Sequence, residues 1–303
     1  MNARGVTLSA LSAVSLLLLV AGSACFSGCS SDPSSSTGVG NPGLTKDEEA
    51  LVDDGDDATD TGATASTMIA IPTYAFAKQA DLATPGAAAT VAVFSADLFG
   101  PHSPACVTTT HAAASPDVQY VFADCTGPFG LEHLNGEIDV TFVPAKSGNG
   151  IDFTVTTPGL TLNSAPVTLT DVGGNIVIDD AAGTRTLTWS GTFASTSLRG
   201  YPITHTVSAS SPYTIVADTG TSCVTVSGSS STTISAPDGD HGFTMDVSNY
   251  VHCGPRAACP TGGTITLTRL DGKLSITVEF EPGRLATITT PHGTVPNWPL
   301  KCS

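Results

Sequence analysis

The feature that most constrains this chain is an alternation of apolar and polar residues, repeated from Cys106 to the C-terminus. In the clearest example, Leu274, Ile276, Val278 and Phe280 are separated by single polar residues. A period of two places one set of side chains against a core and the other set in water, which is typical of antiparallel sheets. The same pattern recurs in the segments 118–122, 138–142, 151–155, 167–170, 186–189 and 243–247.

Turn residues separate these segments. Asp271-Gly272 lies between two of them and predicts a two-residue type I′ hairpin. The other connections are too short for crossover helices, so consecutive strands should pair with one another. An open sheet of about a dozen strands usually curls or folds over. The sequence therefore predicts an all-β fold, a single large antiparallel meander that forms a curved sheet, an open barrel or a sandwich.

Residues 67–98 carry a weaker pattern. Met68–Leu82 could form a short helix broken at Pro72, and Ala87–Leu98 fits a strand or a helix. Apolar residues at period two within the second segment favour a strand. We therefore assign residues 67–303 to one all-β domain.

The N-terminus has the three parts of a secretory signal. Arg4 is the only charge before Asp32, an apolar run extends over residues 6–20, and small residues follow at 21–24. A membrane-spanning helix would need about 20 predominantly apolar residues, whereas serines interrupt this run. The pattern predicts export.

Ser27-Gly28-Cys29 resembles the lipobox of bacterial lipoproteins. The resemblance implies removal of residues 1–28 and attachment of diacylglycerol and palmitate-like acyl chains to Cys29, and Ser30 implies sorting to the outer membrane. Phe26 departs from the pattern, because the family prefers Leu, Val or Ile there. Cys25 is a weaker alternative for the lipidated residue, and an ordinary cut after Ala24 would release a soluble protein.

Residues 29–66 are rich in Ser, Gly and Pro and then acidic, with nine carboxylates and one base, Lys46. So little apolar surface predicts a disordered, self-repelling tether. The acidic cluster at 53–57 lacks the alternating ladder of a calcium loop, and we interpret it as solvated. The formal net charge of −16 disfavours nucleic acid or anionic lipid headgroups as partners.

Cysteines beyond the N-terminal region indicate disulfides, because an even number in an exported chain is typical of bridges. Order and spacing favour the pairs 106–125, 223–253 and 259–302. The alternative pairs Cys253 with Cys259, and a zinc site that includes His252 fits no finger or ribbon spacing. The six candidates are Cys106, Cys125, Cys223, Cys253, Cys259 and Cys302.

No catalytic, metal or cofactor motif is present in the sequence. Histidines are scattered without HExxH spacing and no serine lies in G-x-S-x-G. His205 shares an alternation face with Ile203 and Val207, so we expect it to point inward as a structural residue. Four aromatic residues could line a sugar-binding face, although core packing is the better interpretation: Trp189, Tyr201, Tyr213 and Trp298.

The region around the first cysteine pair has a recognisable pattern. A strand ends in Phe122-Ala123-Asp124-Cys125-Thr126-Gly127, and Gly136-Glu137-Ile138-Asp139-Val140-Thr141 follows. This resembles a group of uncharacterised lipoproteins of Gram-negative bacteria. The resemblance implies a shared fold and export, and brings no activity.

These features predict a non-enzymatic lipoprotein of the cell envelope with a structural or binding role. Its expected partners are the membrane, through the lipid, and an envelope protein, polysaccharide or amphiphile. One alternative is a carrier of a lipid or other amphiphile in an apolar groove. A second is a secreted hydrolase, which a concave cluster of His with Asp or Glu would favour.

Overall fold

The computed structural model describes residues 44–77, 84–99, 106–126, 133–146, 150–197, 199–218, 221, 223–253 and 259–300. The predicted signal peptide and Cys29 lie outside these residues. No helix in these ranges is both long and apolar enough to span a bilayer.

The described chain begins with helices and continues in strands. The helices are α1 (Lys46–Ala70), a first 3-10 helix (Ile71–Ala77), α2 (Pro85–Ala92) and a second 3-10 helix (Val93–Leu98). The strands are β1 (Val107–Thr110), β2 (Asp117–Cys125), β3 (Leu134–Pro144), β4 (Ile151–Thr156), β5 (Thr161–Leu162), β6 (Ala165–Pro166), β7 (Thr168–Asp179), β8 (Thr184–Thr196), β9 (Pro202–Val207), β10 (Tyr213–Asp218), β11 (Cys223–Ala236), β12 (Gly239–Cys253), β13 (Gly262–Arg269), β14 (Ser275–Glu281), β15 (Leu285–Thr290) and β16 (Gly293–Pro299).

All the strands belong to one antiparallel sheet that follows chain order, which confirms the predicted meander. Two places depart from this order. The short strands β5 and β6 form a hairpin beside β3, so β4 pairs directly with β7. Between β8 and β11, β9 and β10 occupy a single strand position end to end. Residues 208–212 are looped out between them. Gly228 in β11 faces this loop with a φ of +146°, and a Cβ there would lie 2.4 Å from Tyr213 Cδ1, so a side chain would not fit.

Helix α1 lies against the concave face of the sheet. It contacts β8 and β9 on one side and β13 and β14 on another, so the sheet curls around it. From Ala65 to Ala70 every side chain is buried, and a helix buried all round belongs to a core. The core is formed between α1 and the inward residues of the strands, among them Trp189, Phe193, Phe243, Leu267 and Ile276.

The prediction of a disordered tether is therefore wrong for residues 46–66. A capping box starts α1, because the Thr45 side chain accepts from the Glu48 amide and the Glu48 carboxylate accepts from the Thr45 amide. Leu51, Val52 and Ala58 then face the core. The buried acidic residues are tolerated here because loops of the sheet present arginine or histidine side chains to them.

The segment before the first strand also differs from expectation. Ala87–Leu98 was predicted as a strand and is instead α2 followed by a 3-10 helix. Thr84 caps α2 by accepting from the Ala87 amide, and Pro85 occupies the first turn, where its missing N–H costs nothing. The Tyr120 hydroxyl donates to the Ala92 carbonyl at 2.6 Å, which fixes α2 against β2. The predicted boundary between residues 66 and 67 falls inside α1, and the helices from Lys46 onward pack on the sheet as part of the same core.

The hairpin at Asp271-Gly272 is confirmed, but its loop is longer than predicted. Arg269 N donates to Leu274 O, which leaves four residues in the loop. Of Asp271 and Gly272, only the glycine has a positive φ, whereas a type I′ turn requires two. The Gly272 amide donates to the Arg269 carbonyl and closes the turn.

Two predicted disulfides are confirmed, Cys106–Cys125 and Cys223–Cys253. The second joins residues that stand directly opposite each other in β11 and β12. Cys259 is also disulfide-bonded, and its predicted partner Cys302 lies outside the described residues. The Cys253–Cys259 alternative is wrong, and the zinc alternative fails with it because both of its thiols are in bridges.

Candidate functional site

Three loops meet the first turns of α1 at one end of the sheet, which we call the α1 rim. They are the β8–β9 loop (197–201), the β11–β12 hairpin (236–241) and the β15–β16 turn (290–293). Each loop contributes a basic or imidazole side chain to a carboxylate of α1. The β13–β14 hairpin lies beside them, because Leu270 N donates to Gly242 O at 2.9 Å.

Arg199 joins two carboxylates of α1. Its Nη2 donates to Asp54 Oδ1 and its Nε to Asp57 Oδ2, both at 2.6 Å. The aspartates are one helical turn apart, and their side chains are 9 % and 3 % exposed. Burial lowers the pKa of Arg199, but the bonds and charges of the two aspartates outweigh burial and raise it. The guanidinium also lies 5.8 Å from the centre of the Tyr201 ring.

His241 extends the cluster toward solvent. Its Nδ1 lies 3.1 Å from Asp54 Oδ2, and its Nε2 lies 3.3 Å from Asp238 Oδ1. His241 therefore connects an aspartate of α1 with an aspartate of the β11–β12 hairpin.

Nearby, Asp53 lies among like charges on the exposed side of α1. Burial is the largest reason that the pKa of Asp53 is raised, with further contributions from Asp54, Glu49 and Asp57 against the lowering effect of Arg199. The interpretation of residues 53–57 as solvated is therefore wrong for Asp54 and Asp57.

Glu48 fixes the start of α1 to the β15–β16 turn. Its Oε1 lies 3.0 Å from Nδ1 of His292, and its Oε2 accepts from the Thr45 amide at 2.7 Å and from the Thr45 hydroxyl at 2.9 Å. Burial raises the pKa of Glu48, but hydrogen bonds with Thr290, Thr45 and His292 outweigh it and lower the pKa to about 2. The Glu48 side chain is fully buried.

A second polar group lies deeper on the concave face. His205 points inward, as predicted, and is fully rather than partly buried, with its Nδ1 2.9 Å from Thr232 Oγ1. Its Nε2 faces Gly62 of α1 and has no hydrogen-bond partner among the described residues. Burial lowers the pKa of His205 to about 4. The Tyr213 ring lies 5.9 Å away and its hydroxyl pairs with Ser230.

A cleft of about 610 Å³ lies at the opposite end of the sheet, between α2 and the end of β3. Its walls carry Pro85, Pro116 and Pro144, with Thr84 and Thr90 at the polar side. A volume of roughly 300–1,000 Å³ is typical of small-molecule sites, but this cleft contains no charged side chain among its lining residues.

The α1 rim brings His together with Asp and Glu, the arrangement that would favour the hydrolase alternative. The observed contacts connect α1 to the loops of the sheet. Arg199 and His241 bind buried carboxylates of α1, and the side-chain ion pairs of both residues are with aspartates. Within the described ranges, no group of three or more His, Cys, Asp or Glu is placed to hold a metal ion.

The remaining sequence candidates have structural positions. Trp189 and Tyr213 are core residues in edge-to-face contact at 5.5 Å, and Tyr201 and Trp298 are half-buried against the core. Sequence reasoning missed Arg199, Asp54, Asp57 and His241. One local pattern could have revealed α1, the capping box at Thr45 and Glu48.

Comparisons with protein-family models, curated proteins and solved structures found no match to this chain. The resemblance to Gram-negative lipoproteins therefore stays a prediction.

Proposed function

We propose that the protein is a lipid-anchored, non-enzymatic lipoprotein of the cell envelope. The observation that carries the proposal is the pair of disulfides Cys106–Cys125 and Cys223–Cys253. Structural disulfides form and persist in oxidising compartments outside the cytoplasm. They support the export predicted from residues 1–28, and the lipobox-like Ser27-Gly28-Cys29 supplies the anchor.

The filled concave face supports a structural or binding role over transport. Helix α1 occupies the space in which a curved sheet would hold a hydrophobic cargo, with Gly55 and Gly62 allowing close approach to Leu267 and His205. Binding partners would then meet the outer surface and the loops.

The anchor is tested by metabolic labelling with palmitate in a bacterial host that processes lipoproteins. Label should enter the wild-type chain and be lost in Cys29→Ser, while Cys25→Ser keeps it. Globomycin should cause the precursor to accumulate. Label that persists in Cys29→Ser, or processing that ignores globomycin, would overturn the proposal.

A second candidate is an amphiphile carrier, which the cleft beside α2 favours through its size and proline-lined wall. Native mass spectrometry of the protein purified without its lipid anchor should then show a bound hydrophobe. Its loss in Gly86→Leu, which narrows the cleft, would locate the hydrophobe there, and clean apo protein would dismiss this candidate.

A further inference from the structure

The chain between the proposed anchor and the sheet is shorter than the composition predicted. The tether of residues 29–66 ends at the capping box of α1, because Thr45 and Glu48 are already bonded to each other and Leu44 packs against the core. Fifteen residues, 30–44, connect Cys29 to this point. At about 3.6 Å per residue they span at most about 54 Å, and any shorter conformation brings the α1 rim closer to the membrane.

The chain from the proposed anchor enters the described fold at the α1 rim, because α1 starts there with Glu48 paired to His292. Strand β11 runs from Cys223 to Ala236 and ends at the β11–β12 hairpin of the rim. Its fourteen residues extend about 45 Å. The β10–β11 connection, which includes Thr221, therefore lies at the far end of the sheet.

The most exposed large apolar side chain of the described chain lies at this rim. Leu270 is 60 % exposed at the β13–β14 hairpin, and Phe94, at 53 %, is the other. Leu270 is held over the β11–β12 hairpin, since its amide donates to Gly242 O and a Cβ on Gly242 would lie 2.6 Å from Leu270 Cδ1. The β13–β14 hairpin therefore contacts the β11–β12 hairpin, which itself contacts α1 through His241.

Unlike the chain as a whole, the hairpin tip beside Leu270 carries a net positive charge, from Arg269 and Lys273 against Asp271. Arg269 precedes Leu270, and Lys273 follows it. The Lys273 side chain is 84 % exposed, and its Nζ lies 3.8 Å from Asp271 Oδ2. Such an exposed pair is worth little in water, so the ammonium is available to a phosphate. An apolar tip flanked by cations is the composition of segments that lie in a membrane interface.

We infer that the β13–β14 hairpin contacts the lipid surface to which the chain is anchored, with Leu270 in the headgroup and acyl boundary and Arg269 and Lys273 at the phosphates. The inference rests on the proposed lipid anchor at Cys29. It gives the α1 rim a fixed orientation, so the far end of the sheet, with the cleft beside α2, faces away from the membrane.

Photo-crosslinking of the full, lipidated chain tests this orientation. The photoreactive residue p-benzoylphenylalanine replaces Leu270 in one variant and the exposed Thr221, at the far end, in the matched control. Each is reconstituted in vesicles of phosphatidylethanolamine and phosphatidylglycerol and illuminated. Mass spectrometry should find lipid adducts at position 270 several-fold more often than at position 221.

Flotation of the same samples separates the two proposals. A chain that floats with the vesicles but gives equal or absent lipid adducts at 270 and 221 overturns the orientation and leaves the anchor standing. The same holds for a chain that crosslinks at 270 to a second protein copy instead of lipid. A wild-type chain that fails to float, like Cys29→Ser, overturns the anchor itself.

Discussion

Gly62 of α1 lies directly against the imidazole of His205 on the concave face, where a Cβ would come 3.1 Å from Nε2. The helix can approach the sheet this closely only because a glycine stands at the contact. His205 cannot retreat, since it is fully buried and its other nitrogen is held at Thr232.

Gly62→Ala should therefore destabilise the protein, by about 1–3 kcal/mol as is usual for overpacked cores. The sign of the change in the free energy of unfolding is informative, because in an exposed helix the same substitution would stabilise the protein by about 1 kcal/mol. Urea unfolding of the variant measures the effect. In the exposed control Ala50→Gly, helix propensity alone should cost about 1 kcal/mol. A stabilised Gly62→Ala would mean that α1 is not docked on His205.

The burial of His205 predicts a stability that falls in mild acid. Burial lowers the pKa of His205 from its ordinary 6.5 to about 4, so between these values the unfolded chain binds a proton that the folded chain does not. The free energy of unfolding should fall by about 3 kcal/mol as pH drops from 6.5 to 4, since each pKa unit between the folded and unfolded states is worth about 1.36 kcal/mol. Other groups that titrate in this range add to the measured slope.

Comparison with His205→Asn isolates the histidine. Asparagine keeps a polar group toward Thr232 but does not titrate, so the variant should lose this part of the pH dependence. Tyr213→Phe, which removes a neighbouring buried hydroxyl, should lower stability by a similar amount at every pH in the range. An unchanged slope in His205→Asn would contradict a neutral, buried imidazole.

Replacement of Arg199 should weaken the packing of α1 on the sheet and lower the free energy of unfolding. Arg199→Met leaves the carboxylates of Asp54 and Asp57 buried without their shared cation, and breaking a buried pair in this way costs about 3 kcal/mol. Adding Asp54→Asn and Asp57→Asn should recover part of the loss, because no buried charge remains. Lys273→Met removes an exposed pair and should cost under about 1 kcal/mol. Urea unfolding compares the free energy of unfolding of all three variants. Equal losses for Arg199→Met and Lys273→Met would contradict a stabilising role for the contacts of Arg199 with Asp54 and Asp57.

The sheet could be predicted from the sequence because its information is local. In β14, apolar residues at 276, 278 and 280 alternate with polar ones, and the next strand begins after a short turn. The pair Cys223–Cys253 follows for the same reason, since consecutive strands bring the two cysteines opposite each other.

Helix α1 could not be predicted from composition because its partners are distant in sequence. Asp54 meets a guanidinium 145 residues away, and Glu48 meets an imidazole 244 residues away. Composition counts charges and ignores the partners that the sheet presents, so an acidic segment was predicted to be a solvated tether. The looped-out residues 208–212 could not be predicted for a related reason. They are recognised only because β9 and β10 both pair with β8 and β11.

Peptide mapping under non-reducing conditions should recover Cys259 linked to Cys302. Cys259 is bonded, and the bridges Cys106–Cys125 and Cys223–Cys253 leave Cys302 as its partner within the β domain. Removing Cys223–Cys253 by the double change to Ala should cost about 3–4 kcal/mol on loop-entropy grounds. A free Cys302, or a mixed population of bridges, would contradict the local pairing.

The docking of α1 depends on Glu48, and acid should release it first at the helix start. The pKa of Glu48 is lowered to about 2, so the stabilisation is complete above its ordinary value of 4.5 and is lost as pH falls from 4.5 toward 2. Glu48→Gln breaks the capping box and the contact with His292 at neutral pH. Hydrogen exchange in residues 46–60 should then accelerate while β12 and β13 keep their protection. Asp47→Asn, one position earlier and exposed, should leave exchange nearly unchanged. Fast exchange throughout 46–60 in the wild-type chain would instead restore the disordered tether that composition predicted.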